Sequence, residues 1–151
     1  MTRAKPSALR SRIMRAVKSK DTTPELYIRR LLHAKGFRYR LHRTDLPGCP
    51  DLVFARLKKV IFIHGCFWHG HNCRRGARMP KSNVEYWTAK ISRNHARDQK
   101  IRKQLKADGW DVLVVWECRM KAAQSLDRII AFLVPARHRT QYDLKRCWGF
   151  E

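Results

Sequence analysis

One short stretch constrains this chain more than any other. Residues 60–63 (Val-Ile-Phe-Ile) are β-branched or aromatic, which is typical of a buried strand. The ten residues that follow include two cysteines, three histidines, a phenylalanine and a tryptophan, and Gly65 and Gly70 allow tight turns among them. A loop mounted at the end of a buried strand commonly carries catalytic or metal-binding groups. We therefore expect residues 64–73 to form the functional centre.

The overall charge predicts a polyanionic partner. Lysine and arginine number 34 against 12 acids, giving a formal net charge of +22, and a hydrophobic fraction of 44% over 151 residues is enough for one folded domain. The alternative is a solvated basic surface with no specific partner. The sequence has no apolar run of membrane-spanning length and no basic helix with a long apolar face. Nucleic acid is therefore favoured over a membrane.

The cysteines indicate a reducing compartment. Their number is odd, and the basic N-terminus lacks the apolar segment of a secretory signal. We therefore expect a cytoplasmic protein whose thiols are metal ligands or free side chains, not disulfides. The five are Cys49, Cys66, Cys73, Cys118 and Cys147.

The hydrophobic pattern predicts an α/β fold. Helix, three strands, helix, strand and helix follow one another, which predicts a mixed central sheet flanked by helices on both faces. We expect a basic flexible arm at 1–20, one folded domain at 21–135 and a basic tail at 136–151. The first predicted helix has Thr23 as its N-cap and Pro24 as its first residue, and it ends at Gly36. The other predicted elements are strands at 37–41, 51–54 and 60–63, a helix from a Ser82–Glu85 capping box to about Ala107, a central strand at 110–116 and a helix around 126–133.

Cysteine and histidine spacing predicts a structural metal site. Cys66, His71 and Cys73 form the pattern C-x4-H-x-C, and Cys118 follows a strand whose end can approach the same loop. Thiolates and one imidazole with no open position suit structural Zn²⁺. The alternative is a set of buried free cysteines beside a surface histidine.

A second group of residues suits a Mg²⁺ site. Pro50-Asp51 opens one strand and His64 ends the next, so the two side chains should lie side by side, as in nucleases of the PD-(D/E)xK type. The acid-x-Lys half of that motif is absent, because residues 62–64 read Phe-Ile-His. Backbone oxygen or phosphate would complete the metal shell, and His64 or His69 would replace lysine as the base.

Aromatic side chains are candidates for contact with bases. Phe67 and Trp68 are adjacent in the Gly-flanked loop, where both cannot easily point inward, and Trp87 lies near the start of the long helix. They can stack on or insert between bases. Core packing is the alternative, particularly for Trp87. Met14 in the arm could be an apolar wedge or an ordinary helix-face methionine.

These residues together resemble one family. The segments 11–25, 46–48 with Pro50-Asp51, 64–69 (His-Gly-Cys-Phe-Trp-His) and 110–118 look like the very-short-patch repair (Vsr) DNA mismatch endonucleases. The resemblance covers roughly residues 7–120. It implies a restriction-endonuclease-like core, a bound structural zinc and nicking of one strand of double-stranded DNA 5′ to the T of a T·G mismatch left by deamination of 5-methylcytosine.

The resemblance also implies roles for individual residues. Asp51 and the main-chain carbonyl of Ile63 would hold Mg²⁺, and His69 would position or deprotonate the attacking water. Glu25, which on its own also suits the helix dipole, would assist together with His64. Zinc would be held by Cys66, His71, Cys73 and Cys118. Phe67, Trp68 and Trp87 would insert from the major groove, and Met14 from the opposite side.

The match has departures, and two other functions stay open. Cys49 stands where the family usually has Arg, Ile63 replaces the more common Thr, and residues 74–81 are unlike the family. One alternative is a zinc-stabilised DNA-binding module without catalysis. The other is a nuclease that cuts both strands of matched DNA. We expect a monomer, with mismatch-repair proteins as candidate partners.

Overall fold

The computed structural model describes residues 20–134. Residues 1–19 and 135–151, with Met14, Cys147 and nearly all of the predicted arm and tail, lie outside that range. No helix within the described range is long and apolar enough to cross a membrane. The elements are α1 (Thr23–Ala34), β1 (Arg40–Leu41), β2 (Leu52–Phe54), β3 (Lys59–His64), α2 (Val84–Ala107), β4 (Asp111–Trp116) and α3 (Ala123–Leu133), with short 3-10 helices at Ala55–Leu57 and Glu117–Arg119.

The predicted element order and the mixed sheet are confirmed. The four strands lie in the order β1-β2-β3-β4, with β1 and β2 antiparallel, β2 and β3 antiparallel, and β3 and β4 parallel. The long helix α2 makes the crossover between the two parallel strands. β3 therefore lies inside the sheet, with β2 on one side and β4 on the other.

The predicted central position of β4 is wrong for the described sheet, where β4 is an edge strand. Its apolar run has another cause. Leu113 and Val115 pack in the core on one face of the sheet, whereas Val112 and Val114 pack against the core on the other face. Because helices cover both faces, an edge strand here is apolar on both sides.

The sheet separates two hydrophobic cores, one on each face, and helices cover both faces, as predicted. α1 and α3 contribute Ile28, Leu32, Ile129 and Leu133 to the larger core. α2 contributes Leu105 to the other core, which also contains Val53, Val60, Phe62 and Trp110.

Strand alternation determines which face each candidate group shares. Val60 and Phe62 of β3 face α2, so His64, two residues further on, lies on the same face. Val53 pairs with Val60, and the same alternation places Asp51 on the α2 side, immediately before β2. The pleat therefore directs both predicted polar side chains toward the long helix.

Several predicted boundaries need correction. The N-cap of α1 is Thr22, not Thr23, and Pro24 lies in the first turn. The Ser82–Glu85 capping box is wrong, because Asn83 is the N-cap of α2, in a left-handed conformation and without a side-chain cap hydrogen bond. The first strand covers only two residues instead of 37–41.

Candidate active site and metal cluster

A cleft of about 980 Å³ lies between the sheet and α2. It contains all four candidate catalytic residues that the sequence indicates, although they come from separate parts of the chain. Residues from the long helix complete its wall. The lining includes Glu25, Asp51, Ile63, His64, Trp68, His69, Lys90, Asn94, Arg97, Asp98 and Arg102.

Asp51 lies on the cleft wall beside β3. Its Oδ2 accepts a hydrogen bond of 2.7 Å from the backbone N–H of Ile63, and its side chain is 16% exposed. Burial raises the pKa of Asp51 from 3.8 to about 6, and the Ile63 N–H opposes that rise. The structure thus places a poorly hydrated carboxylate next to the residue whose carbonyl is the second predicted Mg²⁺ ligand.

Two stacked imidazoles form the opposite part of the site. The rings of His64 and His69 lie 3.8 Å apart and are nearly parallel, at 10°. Nδ1 of His69 lies 2.5 Å from Oδ2 of Asp98. Because a carboxylate only accepts, the proton of this contact belongs on Nδ1, which leaves Nε2 of His69 as the nitrogen with a free lone pair.

His64 is the buried member of the stack. Burial lowers the pKa of His64 to about 3, with a smaller contribution from the charge of His69, so its ring is neutral at physiological pH. Asp51 lies in the same cleft but outside the set formed by His64, His69 and Asp98, whose ligand atoms all lie within 4.8 Å of one another.

Asp98 is a candidate functional residue that the sequence reasoning missed. One signal was available: apart from Glu85 in the first turn, Asp98 is the acid of an otherwise basic 24-residue helix. It lies one turn beyond Asn94, whose side-chain amide donates to the backbone oxygen of Trp68 at 2.9 Å. One side of α2 thus contacts the loop of residues 64–73 at two points, Trp68 and His69.

Glu25 is shared between the cleft and the first turn of α1. It lines the cleft, and it also organises the start of α1, where its carboxylate accepts from the Thr22 hydroxyl at 2.9 Å and the Asp21 N–H at 3.0 Å. Arg29 donates to the same carboxylate at 2.9 Å and to His42 at 2.8 Å. No motif in the sequence indicated Arg29 or His42.

The predicted thiol–imidazole cluster converges in the structure. One ligand atom from each of Cys66, His71, Cys73 and Cys118 lies within 4.8 Å of the others, so the group could hold a metal ion. Cys118 reaches the loop from the 3-10 helix that follows β4, and its Sγ lies 3.5 Å from Nδ1 of His71. Parallel pairing of β3 and β4 brings the two segments together, because both strands end at the same edge.

The thiols of this cluster differ in their readiness to ionise. Burial raises the pKa of Cys66 to about 12. The backbone N–H of Gly76 donates to Sγ of Cys73 at 3.3 Å, and this donor, followed by His71, lowers the pKa of Cys73 to about 6. Cys49 lies apart from the cluster, as an exposed free cysteine on the cleft wall.

The aromatic residues form one cluster beside the cleft. Ring centroids of Phe67 and Trp68 are 5.2 Å apart, and Trp87 lies 5.4 Å from the first and 6.0 Å from the second. Phe67 and Trp68 are half-buried, whereas Trp87 is 6% exposed. In this conformation Trp87 is buried and packs against the other two rings, which agrees with the core-packing alternative for Trp87.

Two residues of the aromatic cluster were missed. Tyr86 is 42% exposed and lies 5.3 Å from Trp87. The ammonium of Lys90 lies 5.4, 5.8 and 5.5 Å from the ring centroids of Trp68, Tyr86 and Trp87. It therefore brings a cation to the rim of the cleft at a distance that favours cation–π contact.

A basic chain with a carboxylate and paired imidazoles in an open cleft is typical of an enzyme that acts on nucleic acid. The family model described as DNA mismatch endonuclease Vsr matches residues 4–75. The chain is 52% identical to the type II nicking enzyme V.XorIIP of Xanthomonas oryzae pv. oryzae over 115 residues, which cover 76% of this chain and 84% of the relative.

Two further relatives agree. The type II nicking enzyme V.NmeAIP of Neisseria meningitidis is 45% identical over 121 residues, covering 80% of this chain and 86% of the relative. DNA mismatch endonuclease Vsr of Escherichia coli is 40% identical over 119 residues, covering 79% of this chain and 76% of the relative. The chain therefore belongs to the Vsr DNA mismatch endonuclease family, which confirms the resemblance seen in the sequence.

Proposed function

We propose that this protein nicks one strand of double-stranded DNA 5′ to the T of a T·G mismatch that arises from deaminated 5-methylcytosine. In this proposal the reaction depends on Mg²⁺ and takes place in the cytoplasm. The observation that carries it is that Asp51, His64, His69 and Asp98 line the same cleft in a member of this family. The names of the nicking relatives support single-strand cleavage.

The donor set fits a hard divalent cation. Asp51 offers carboxylate oxygen and Ile63 would add its carbonyl, which are ligands that Mg²⁺ prefers. A carboxylate with a pKa raised by burial is costly to ionise alone, and a cation in the cleft would offset that cost. When bound, Mg²⁺ would supply positive charge to the phosphodiester oxygens during in-line attack. The assignment to a restriction-endonuclease-like, PD-(D/E)xK-type core is part of this proposal, supported by the position of Asp51 beside β3.

His69 would act as the general base that accepts a proton from the attacking water, and His64 would support its ring. Asp98 keeps the His69 proton on Nδ1, so Nε2 can accept a proton from water in the cleft. His64, neutral and stacked 3.8 Å away, limits rotation of the His69 ring without adding a charge. Glu25, on the same wall as Asp51, would assist by its negative charge.

The thiol–imidazole cluster fits zinc. Three sulfurs and one nitrogen within 4.8 Å form a soft donor set of the size of a tetrahedral site, with no position left for substrate. Zinc held there would connect the catalytic loop to the end of β4 and so keep His69 over the cleft. We assign it a structural role only.

Mismatch selectivity would come from deformation of the DNA. A T·G pair is weakly stacked, so insertion of a ring costs less there than at a matched pair. Phe67 and Trp68 are half-buried, Trp68 lines the cleft and Phe67 packs against Trp68. These are the rings that we expect to insert, supported by Trp87. Met14 keeps its proposed role on the opposite side of the DNA.

The test uses three substrates in buffer with Mg²⁺: a T·G duplex, the matched T·A duplex and supercoiled plasmid. Nicking confined to the T strand of the T·G duplex supports the proposal. Binding without cleavage would instead indicate a DNA-binding module, and double-strand cuts in matched DNA a restriction-type nuclease. Asp51→Ala should abolish nicking, whereas Asp127→Ala, on the exposed side of α3, should not. An active Asp51→Ala variant would contradict the metal assignment.

Metal analysis tests the zinc assignment separately. Protein purified without added metal should contain one zinc ion per chain, and Cys118→Ser should lower that content. Cys49→Ser is the matched control, since Cys49 is an exposed free thiol away from the cluster. Equal zinc content in both variants would contradict the four-ligand site.

A further inference from the structure

A second group of potential metal ligands lies next to Asp51. Ligand atoms of Asp21, Glu25 and His42 lie within 4.8 Å of one another. A metal ion does not fit this group, because the guanidinium of Arg29 already lies among the same atoms, 2.5 Å from Asp21 and 2.9 Å from Glu25. Arg29 is thus the cation of this group.

The guanidinium joins Glu25 to His42 through one nitrogen. The same Nη2 lies 2.9 Å from Oε2 of Glu25 and 2.8 Å from Nε2 of His42, and these two acceptors are 3.6 Å apart. Nη2 carries two hydrogens, one for each contact. The three side chains are 9%, 4% and 14% exposed for Arg29, Glu25 and His42, so water competes little with this arrangement.

This contact determines where the proton of His42 lies. Arginine can only donate, so Nε2 of His42 accepts and the ring proton lies on Nδ1. Nδ1 is 3.8 Å from Oδ1 of Asp51. That distance is longer than a hydrogen bond, but it places the positive end of an N–H dipole beside the carboxylate. The other oxygen, Oδ2, accepts from the N–H of Ile63 at 2.7 Å.

The backbone at His42 agrees with a specific role. Its φ is +43°, in the left-handed region that residues other than glycine rarely adopt. Nε of Arg29 is also buried without a hydrogen-bond partner in the described structure. Strained backbone and an unpaired buried donor both cost stability, and such costs concentrate at functional sites.

We propose that Arg29 and His42 are positioning residues that orient the Asp51 carboxylate for its divalent cation. Arg29 fixes the tautomer and the ring direction of His42. The Nδ1–H dipole of His42 then faces Oδ1 of Asp51 at 3.8 Å, while the Ile63 N–H donates to Oδ2, so Arg29 and His42 together form a bridge to Asp51. This inference rests on the proposed function, because it takes Asp51 as the metal ligand. Neither residue touches the reacting atoms.

Two substitutions of His42 separate its contacts. Asparagine places its amide where Nδ1 lies and readily adopts positive φ, so His42→Asn should retain the contact with Asp51. Glutamine places its amide where Nε2 lies, so His42→Gln should retain the contact with Arg29 and lose the one with Asp51. His33→Gln, exposed in the last turn of α1, is the matched control.

The readout is metal affinity, measured on the zinc-loaded full chain. In His42→Gln, two quantities should rise about 10- to 100-fold, the usual effect of losing such a supporting contact. They are the Kd for Mn²⁺, measured by electron paramagnetic resonance, and the Mg²⁺ concentration that half-saturates nicking. Affinity for the T·G duplex without divalent metal should not change. His42→Asn should recover most of the metal affinity.

A double-mutant cycle tests whether the two residues act as one unit. Arg29→Lys keeps the buried charge but loses the fork that serves three partners, so it should also weaken Mn²⁺ binding. Combined with His42→Gln, it should add little further loss, because a residue 42 that no longer faces Asp51 cannot pass the effect of Arg29 on to that carboxylate. Losses that simply add would contradict the bridge. Thermal melting verifies that each variant folds.

The outcomes distinguish this inference from the proposed function. If Asp51→Ala abolishes Mn²⁺ binding while His42→Gln binds Mn²⁺ like wild type, the positioning role of Arg29 and His42 is wrong, whereas the assignment of Asp51 as a metal ligand is supported. If Asp51→Ala binds Mn²⁺ like wild type, the proposed function itself fails. If His42→Gln lowers only duplex affinity, His42 does not position Asp51.

Discussion

The carboxylate of Asp51 is costly to keep ionised where it lies. It is 16% exposed, and its folded-state pKa of about 6 is higher than the value of 3.8 expected in the unfolded chain. The protonated group therefore favours folding below about pH 4, and that contribution is lost as pH rises through 6. A shift of this size corresponds to about 3 kcal/mol.

Asp51→Asn should therefore stabilise the metal-free protein. Asparagine retains an acceptor for the Ile63 N–H and carries no charge. We expect the variant to exceed wild type in unfolding free energy by up to about 3 kcal/mol above pH 6, with the difference vanishing toward pH 4. Urea unfolding in Mg²⁺-free buffer measures this, without a chelator that would also strip the proposed zinc site. Added Mg²⁺ should stabilise wild type only.

Asp98 should matter to the reaction and not to duplex binding. Asp98→Asn retains the size of the side chain but removes the charge that holds His69 with its proton on Nδ1. Because a well-placed general base contributes about 10² or more, nicking should slow about 100-fold under single-turnover conditions. Asp127→Asn is the exposed control. Unchanged nicking by Asp98→Asn would exclude this role.

Among the elements, the turn before β2 decides where Asp51 lies. The N–H of Cys49 donates to the oxygen of Leu46 at 3.1 Å, and Gly48 lies in this turn at φ +74°. A Cβ at Gly48 would lie 2.7 Å from Cγ2 of Ile101 on α2. Glycine is therefore required at position 48 for two reasons: the positive φ and the close approach of the backbone to Ile101 of α2.

Gly48→Ala should destabilise the fold more than a matched glycine substitution. Gly36→Ala has the same positive φ, at +84°, but its Cβ meets nothing within 4 Å, so it should cost only about 1 kcal/mol. Gly48→Ala should cost about 1–3 kcal/mol more, because Ile101 must move. Thermal or urea unfolding of both variants measures the difference. Equal losses would show that the turn does not depend on packing against α2.

On the scale of the whole molecule, charge and selectivity have different sources. A net charge of +22 attracts any duplex, and phosphate contacts carry no sequence information. The aromatic cluster beside the cleft is small by comparison. In the proposed function it would contact only a local part of the DNA. Affinity should therefore depend on salt, and discrimination on the rings.

Duplex binding should fall steeply with salt and equally for matched and mismatched DNA. If six to ten phosphates are contacted, affinity falls by about 10³–10⁵ between about 50 and 200 mM salt. Fluorescence anisotropy with T·G and T·A duplexes, both without divalent metal, measures the two slopes. Parallel slopes with an offset for T·G are expected. Slopes that differ would mean that selectivity is itself electrostatic.

The sequence by itself determined the family, the element order, the mixed sheet and the thiol–imidazole cluster. Each depends on local information: hydrophobic periodicity, or a motif such as residues 64–73 read without a gap. Even Cys118 could be placed, because strands that run parallel end at the same edge.

Only the tertiary structure decided which remote side chains complete the site. Asp98 meets His69 across 29 residues, and Arg29 meets His42 across 13, through helix-to-loop packing that leaves no periodic signal. The same packing buries Trp87 and makes β4 an apolar edge strand. Local patterns record which side chains avoid water, whereas the partner of a buried polar group depends on how the elements pack together.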